Sequence, residues 1–477
     1  MRPLPLAPRR LTRATKRRLS TDFLTNDGIV EGVWIFCRHG DRTPSRPLSA
    51  VHRRDEEAAF WLTRLPRPNT ATVFGDFSRY FPPRIHPDLN EGSFLDTRRN
   101  PFGFLTDSGL HQLSETGRRF FNRYNHHGHH LPERLNWRHE YAEDFLSVWD
   151  VKVYSTNYLR TIMSVQSFLD GLLGTHAHDP SDMERSHDPN VFEEQPVPDH
   201  GWRRDDYASE ELVPVLVRQL SHDPLNAFDR NPKLMSDLVH QVISKQDFQS
   251  GDATAIPLAS RLANVLPGLV RRTNSPSSRS PSGINWVEAA DHFVCRKAHG
   301  VDYAAFTDTE SEHSQMLEAL SHETLAHLAW RFRQWYKHPQ LLAAVAAPPL
   351  REIATQVQET PTLKTRDKHP FVIYSCHDVT ILGILYGMGA DFLVDEWKSF
   401  WPTYGSTLVF ELVRIPGEVE KYVVRVLLNG TPVRSVHGRE PVGHGPHAMM
   451  WIDDFDEMVR HLEDQGGFDY DELLRMK

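Results

Sequence analysis

Three runs rich in apolar residues end abruptly at polar residues, and each is followed by a pattern typical of a helix. They occupy residues 33–37, 151–156 and 371–376. Short apolar and β-branched runs of this length are typical of buried strands, and strands that alternate with helices build sheets in which the strands run parallel. The pattern therefore predicts an α/β fold with a largely parallel sheet flanked by helices.

The alternation of strands and helices stops within residues 173–315, where Asp, His, Pro, Ser and Arg become frequent. Residues 210–220 and 233–243 have helical periodicity in this region, so we predict a mainly helical insertion that forms a cap. A second insertion, residues 45–104, is rich in Arg, Pro and aromatic residues. We expect this second insertion to lie over the mouth of a pocket.

Toward the end of the chain, residues 408–412 and 422–428 predict strands joined by turns, and Asn429-Gly430 closes the second strand. The whole chain is thus predicted to fall into four segments. These are residues 1–28 as a basic extension or transit segment, 29–172 as the first part of the α/β domain, 173–315 as the helical cap and 316–477 as the second part of the α/β domain.

Charge and composition exclude some classes of protein. The chain has 477 residues, with 54 Lys or Arg, 63 Asp or Glu and a formal net charge of −9, which disfavours nucleic-acid binding through a broad positive field. No run approaches the roughly 18 apolar residues that a membrane-spanning helix needs. The first 20 residues carry seven Arg or Lys and no acid, which is typical of either a mitochondrial transit peptide or a disordered basic extension.

The three cysteines, Cys37, Cys295 and Cys376, are too few for a disulfide framework and indicate a reducing compartment. We therefore expect an intracellular protein, mitochondrial if the basic start is a transit peptide, and secretion is the less favoured alternative. Cys37 and Cys376 end two predicted strands. We expect them to be buried and inert, with a redox pair as the alternative if those strands are neighbours.

Two of the predicted strand ends carry polar clusters with complementary chemistry. The first strand is followed by Arg38, His39, Gly40 and Arg42, and the third by the pair His377-Asp378. Guanidinium groups match phosphate oxygens, and a neutral imidazole held between them can attack phosphorus. Ligands bind at the carboxyl ends of strands in an open α/β sheet, so both clusters are expected around one crevice that binds a phosphate group.

Together these clusters resemble the histidine phosphatase superfamily, whose fold is phosphoglycerate-mutase-like, and within it the acid phosphatase and phytase branch. The resemblance runs with interruptions from residue 31 to residue 412. Besides His377-Asp378, it rests on Arg-His-Gly-Asp-Arg-Thr-Pro at 38–44, Leu-Thr-Asp-Ser-Gly-Leu-His-Gln at 105–112, Ser-Thr-Asn-Tyr-Leu-Arg-Thr at 155–161 and Trp-Pro-Thr-Tyr-Gly-Ser at 401–406. Two positions depart from the family pattern, since Asn157 replaces the usual Asp and Tyr154 stands where an Arg is common.

The resemblance implies a role for each matching residue. His39 is expected to be the nucleophile and Asp378 the proton donor. The side chains expected to bind the phosphate are Arg38, Arg42, Arg160 and His377. The resemblance also implies that no metal and no cofactor is needed. The histidine-rich residues 126–130 have no Cys or carboxylate neighbours, so they are expected to form a solvated loop, with a metal site as the less favoured alternative.

The expected activity is that of an acid phosphatase, which hydrolyses small phosphate monoesters through a phosphohistidine. A lysophosphatidic type is favoured over a secreted phytase because of the low cysteine count and the basic start. A phytase-like inositol phosphate phosphatase remains an alternative, as does a phosphate-binding module without turnover. A mutase-like activity is disfavoured because mutases of this superfamily typically use a Glu, whereas His377-Asp378 supplies the acid here.

Overall fold

A computed structural model places most of the chain. The residues it describes are 23–25, 28–66, 76–87, 101–125, 139–175, 211–269, 283–307, 314–362, 368–390, 400–415, 421–435 and 449–468. The basic start of the chain and the histidine-rich residues 126–130 lie outside this part, so the predictions made for them stay predictions.

Within the described ranges, ten strands form one mixed sheet. The strands are β1 (Phe23–Thr25), β2 (Gly28–Arg38), β3 (Pro83–Ile85), β4 (Trp149–Ser155), β5 (Val215–Val217), β6 (His369–Cys376), β7 (Thr407–Ile415), β8 (Lys421–Leu428), β9 (Thr431–Pro432) and β10 (Met449–Trp451). Their order is β10-β8-β7-β2-β6-β4-β5-β3, with β1 on β2 and β9 on β8. From β2 to β3 in this order neighbouring strands are parallel, whereas β7, β8 and β10 extend the sheet in antiparallel fashion.

Helices cover both faces of this sheet. In the described part they are α1 (Arg54–Leu62), α2 (Asp107–Tyr124), α3 (His139–Val148), α4 (Leu159–Leu173), α5 (Ala227–Arg230), α6 (Pro232–Ile243), α7 (Gln246–Ala253), α8 (Ile256–Val265), α9 (Trp286–Ala298), α10 (Ser314–Trp335), α11 (Pro339–Glu359), α12 (Asp378–Gly387) and α13 (Ile452–Gly466). Helices α2, α3 and α4 share one apolar core with Val33 and Ile35 of β2. On the other face, α11, α12 and α13 share a core with Trp34 and Phe36. Because consecutive residues of a strand point to opposite faces, the continuous apolar run in β2 serves both cores.

A group of helices also lies between β5 and β6 along the chain, and the predicted bounds of the cap, residues 173–315, stay a prediction. Helices α6 to α10 bury a third apolar core that includes Leu262, Phe293 and Leu317 and extends to Leu341 of α11 and Leu382 of α12. The predicted α/β fold with mostly parallel strands, flanking helices and a helical cap is therefore confirmed. We call α5 to α10 the cap below.

One predicted helix is wrong, and several boundaries shift. Residues 215–217 of the predicted helix 210–220 form β5, which lies between β3 and β4. Val213, Val215 and Val217 are buried at alternate positions, a period of two that fits a strand, and Pro214 cannot donate the hydrogen bond that a helix interior needs. The predicted helix over residues 233–243 is confirmed as α6, and the predicted strand 33–37 extends from Gly28 to Arg38.

The strands predicted near the end of the chain are confirmed as β7 and β8. The turn after β8 is also confirmed, because Asn429 and Gly430 both have positive φ, at 50° and 82°. Two positive φ values in succession suit the tight turn that joins antiparallel strands.

Candidate active site

The carboxyl ends of β2, β6 and β4 bring the six predicted site residues into one cluster. Arg38 ends β2 opposite Cys376, the last residue of β6, so that His39 and His377 leave adjacent strands side by side. Their rings lie 5.6 Å apart between centroids. Arg160 follows the end of β4 as the second residue of α4.

His39 is held in a single orientation with one ring nitrogen available. Its Nδ1 lies 2.8 Å from the carbonyl oxygen of Gly40, and a carbonyl only accepts, so Nδ1 carries the proton and Nε2 the lone pair. The side chain is buried, with 2% of its surface exposed. Burial, together with the positive charges of Arg160, Arg38 and Arg42, holds the pKa of His39 well below its ordinary value. The imidazole is therefore neutral and suited to act as a nucleophile.

Glycine is required at two positions, one in the loop after β2 and one in the first turn of α2. A Cβ on Gly40 would overlap the carbonyl oxygen of Gly109 in α2, and a Cβ on Gly109 would overlap the carbonyl oxygen of Asp41. The two backbones therefore touch directly, which fixes the loop after β2 against the start of α2. This contact explains why residues 105–112 accompany residues 38–44 in the sequence pattern.

Arg38 and Arg42 each use the end of the guanidinium group for a contact with protein. Arg38 donates from Nη1 to the carbonyl oxygen of Pro402 at 2.5 Å, and its Nη2 lies 2.7 Å from Oδ2 of Asp378. Arg42 pairs with both carboxylate oxygens of Asp291, with Nη2 to Oδ1 at 2.7 Å and Nη1 to Oδ2 at 3.2 Å. Although burial disfavours the charge, Asp291 raises the pKa of Arg42 further above its ordinary value, so the pair is fully ionised.

The Nε–H edges of these two guanidinium groups are not bonded to the described part of the protein. In the described part of the chain, Nε of Arg38 and Nε of Arg42 are buried and make no hydrogen bond. Leaving a buried N–H donor unsatisfied costs about 1–3 kcal/mol. An oxyanion between the two arginines would satisfy both donors with charge-assisted hydrogen bonds.

His377 is positioned by residues from the end of β4. Its Nε2 lies 3.1 Å from the hydroxyl of Thr156, and the edge of its ring meets the ring of Tyr158 at a centroid distance of 4.8 Å. Arg160 contacts the same Tyr158 ring, with its guanidinium carbon 4.2 Å from the centre of the ring. Burial, with the charges of Arg160 and Arg38, holds the pKa of His377 well below its ordinary value.

Asp378 is held by three donors. Its Oδ2 accepts from Arg38 and from the indole nitrogen of Trp401, the latter at 3.0 Å, and its Oδ1 accepts from the backbone amide of Val379 at 2.8 Å. The side chain keeps 21% of its surface exposed. A carboxyl group that is fixed in place and still reachable from solvent can exchange protons with a substrate and with water.

Further contributors to the site among the described residues are not predicted from the sequence as site residues, namely Thr156, Tyr158, Asp291, Trp401 and Tyr404. Trp401 and Tyr404 belong to the stretch 401–406, which is part of the family resemblance. The sequence therefore points to this stretch but assigns no role to either side chain. Tyr404 lies under the guanidinium of Arg38, 4.4 Å from its carbon. Nothing in the sequence singled out Asp291, which lies 249 residues from its partner Arg42.

The position that departs from the family pattern at Tyr154 is explained by packing. Its ring stacks on Tyr374 of β6 at 5.6 Å, and the guanidinium of Arg218 lies 3.9 Å from its centre. Arg218 in turn makes two hydrogen bonds with Glu352, at 2.7 and 2.8 Å. Tyr154 thus belongs to a column on one face of the sheet.

All three cysteines are buried thiols without a disulfide. Cys37 belongs to the core on the α2 side of the sheet and Cys376 to the core on the α12 side. The two strands are neighbours, as the redox alternative required, but the side chains point to opposite faces. A disulfide between them would need the backbone to move, so the expectation of inert thiols is the one that the geometry favours.

Comparisons with known proteins agree with this architecture. A family model described as the histidine phosphatase superfamily (branch 2) matches residues 29–429. The multiple inositol polyphosphate phosphatase of Bifidobacterium longum, solved with inositol hexasulfate, is 12% identical and covers 92% of this chain and 94% of its own, with a TM-score of 0.50. The apo phytase of Hafnia alvei is 14% identical, covers 92% of this chain and 98% of its own and has a TM-score of 0.48. A comparison with curated proteins finds no match.

Proposed function

The chain belongs to branch 2 of the histidine phosphatase superfamily and is a phosphate monoester hydrolase, and we propose that it works through a phosphohistidine formed on His39. The observation that carries this proposal is the neutral His39, with its lone pair on Nε2, beside the buried and unsatisfied Nε–H groups of Arg38 and Arg42. Such an arrangement supplies a nucleophile and the donors for equatorial phosphate oxygens in one place.

In the first step, the lone pair on Nε2 of His39 forms a bond to phosphorus while the bond from phosphorus to the ester oxygen breaks. Asp378 gives its proton to that oxygen, so an alcohol leaves rather than an alkoxide. In the second step, a water molecule attacks phosphorus, the phosphorus–nitrogen bond breaks and Asp378 takes up a proton from the water. As the resemblance to acid phosphatases implies, turnover should be most efficient at acidic pH.

The charges around the cluster support a substrate with a single phosphate group. Arg38 pairs with Asp378 and Arg42 with Asp291, while Arg160 acts electrostatically on Asp229. In the resting protein two of the three arginines of the described cluster are therefore paired with a carboxylate, whereas an inositol hexakisphosphate needs a surplus of positive charge. We propose a monophosphate ester of the lysophosphatidate type as the substrate class.

A phytase-like activity is the second candidate, supported by the fold shared with the inositol polyphosphate phosphatase. The experiment measures kcat/KM for lysophosphatidate, inositol hexakisphosphate and nitrophenyl phosphate, with His39→Ala as the control without a nucleophile. Lysophosphatidate should be preferred over the hexakisphosphate. The reverse preference would replace the substrate proposal, and a wild-type protein that binds phosphate without turning over any ester would refute the enzymatic one.

We also propose an intracellular location, which the three unpaired cysteines support. None of the described helices combines the length and the apolar character needed to cross a bilayer. Fractionation of cells that express the full chain and a chain without residues 2–20 tests the location. Mitochondrial enrichment that is lost on deletion would identify the basic start as a targeting signal. Recovery of the full chain from the medium would contradict the proposal.

A further inference from the structure

One face of helix α9, in the cap, contacts the loops that carry the phosphate-binding arginines. Asp291, Cys295 and His299 follow one another at intervals of four residues, which places them along one side of the helix and its C-terminal end. Asp291 pairs with Arg42, Cys295 lies 3.2 Å from the hydroxyl of Tyr404, and Nε2 of His299 lies 2.5 Å from Oδ2 of Asp41.

The three contacts reach two parts of the cluster. Arg42 and Asp41 belong to the loop that begins with the nucleophile, and Tyr404 supports the guanidinium of Arg38. All three α9 side chains are nearly or fully buried, with Cys295 at 0% and Asp291 at 9% exposure. Contacts that are buried and polar are sensitive to geometry, because a group that loses its partner is not compensated by water.

Asp291 is the most completely bonded of the three. Its Oδ2 accepts from the backbone amide of Ser45 at 2.7 Å in addition to Nη1 of Arg42, and its Oδ1 accepts from Nη2 of Arg42. Although burial opposes ionisation, Arg42 lowers the pKa of Asp291 below its ordinary value, so the carboxylate stays charged. Asp291 therefore occupies the end of the guanidinium fork and leaves the edge with Nε–H facing away from it.

We propose that Asp291 is a positioning residue, which orients Arg42 so that its Nε–H edge meets the phosphoryl group in the transition state. The proposal rests on the proposed function, since it assigns a role to a residue behind one of the phosphate-binding arginines. On this proposal the cap takes part in catalysis, because its helix α9 holds Arg42 in position.

Two effects of removing the charge at residue 291 oppose one another in the ground state. A neutral Asn no longer offsets the charge of Arg42, which favours phosphate binding, but it also holds the guanidinium less firmly. In the transition state the orientation matters more, because a misplacement of about 1 Å can cost about 100-fold in rate. Asp291→Asn should therefore slow phosphoryl transfer while changing the inhibition constant of inorganic phosphate little.

The experiment is rapid quench with labelled nitrophenyl phosphate, which gives the amplitude and the rate constant of phosphohistidine formation. Asp291→Asn should keep the amplitude and lower the rate constant by about 10- to 100-fold. In an Arg42→Gln background the same substitution should change the rate constant by less than about twofold, because the group that Asp291 orients is gone. Asp237→Asn, on the exposed side of α6, is the matched control and should behave as the parent protein.

An unchanged rate constant for Asp291→Asn, or an equal loss in both backgrounds, would overturn the proposal. Where Asn at this position prevents folding, Asp291→Glu keeps the buried charge and displaces the carboxylate by one methylene, and the same two comparisons apply to it. Absence of labelled phosphohistidine in the wild-type protein is a different result, and it would refute the proposed function rather than the role of Asp291.

Discussion

The indole nitrogen of Trp401 lies 3.0 Å from Oδ2 of Asp378, the same carboxylate oxygen that pairs with Arg38 at 2.7 Å. Trp401 is itself held by the cap, since its ring packs edge-on against Phe332 of α10 at 4.9 Å. The proposed proton donor is thus oriented by Arg38, one of the proposed phosphate-binding residues, and by Trp401, which the cap supports. The hydrogen bond from Trp401 can therefore be removed to test how the cap supports this carboxyl group.

Trp401→Phe should remove the hydrogen bond to Asp378 and keep the packing against Phe332. We expect the rate on alkyl phosphates to fall about tenfold, the cost of losing one hydrogen bond to a charged group. Nitrophenyl phosphate, whose leaving group needs no proton, should be affected much less. The measurement is kcat on both classes of ester.

Trp335→Phe is the matched control for this prediction. The indole nitrogen of Trp335 is buried and makes no hydrogen bond within the described residues, so the same change there removes an N–H group without a partner. Its rates should equal those of the wild type on both esters. A similar loss in both variants would show that the effect of Trp401→Phe comes from the cap core.

Variants at His39 and at Asp378 should be impaired at different steps of the reaction. His39→Ala should form no phosphoenzyme and turn over no ester. Asp378→Asn should lose about 10²- to 10⁴-fold on alkyl phosphates, the usual contribution of general acid catalysis, and much less on nitrophenyl phosphate. If Asp378 also activates the water, phosphohistidine should accumulate in Asp378→Asn on the activated ester.

Rapid quench with labelled substrate separates these cases through the burst amplitude and the steady rate. Equal losses on both esters without a phosphoenzyme in Asp378→Asn would mean that Asp378 is structural and that another group supplies the proton.

Stability should fall as the pH falls below about 6.5, the ordinary pKa of histidine. The pKa values of His39, His377 and His292 are all held well below that value, with burial as the largest cause. In this pH range the unfolded chain binds protons that the folded chain does not, so each histidine lowers the free energy of unfolding by up to about 1.4 kcal/mol per pH unit.

The measurement is the Tm between pH 7.5 and pH 5, for the wild type and for His39→Ala. The variant should show a shallower decline because one of the three groups is missing. A bound phosphate places negative charge beside His39 and His377 and favours their protonated forms, so its stabilising effect should grow toward acidic pH. A Tm that rises on acidification without phosphate would contradict the neutral state assigned to these rings.

Activity should not depend on a metal ion, because the arginines already supply the positive charge that a phosphoryl group requires. Exhaustive chelation should leave kcat and KM of the full chain unchanged. Loss of turnover that a divalent ion restores would contradict this prediction and would direct attention to residues 126–130.

The central strands β2, β4 and β6, their ends and the candidate chemistry can be predicted from the sequence alone. These features are local: an apolar run of a given length specifies a buried strand, and the residues that follow it must emerge at the edge of the sheet. The sequence therefore predicts that the clusters at residues 38–44 and 377–378 lie together. Residues 210–220 were wrongly predicted because valines on both sides of Pro214 satisfy two periodicities over so short a stretch.

The groups that face these clusters from elsewhere in the chain follow from the packing of the whole molecule. Asp291 meets Arg42, and Trp401 meets Asp378, through the packing of helices and loops whose separation along the chain carries no distance information. The strand pairing likewise decided that Cys37 and Cys376 lie on opposite faces of the sheet. Side-chain pairing of this kind depends on register and on helix packing, which are set by the whole core rather than by any local pattern.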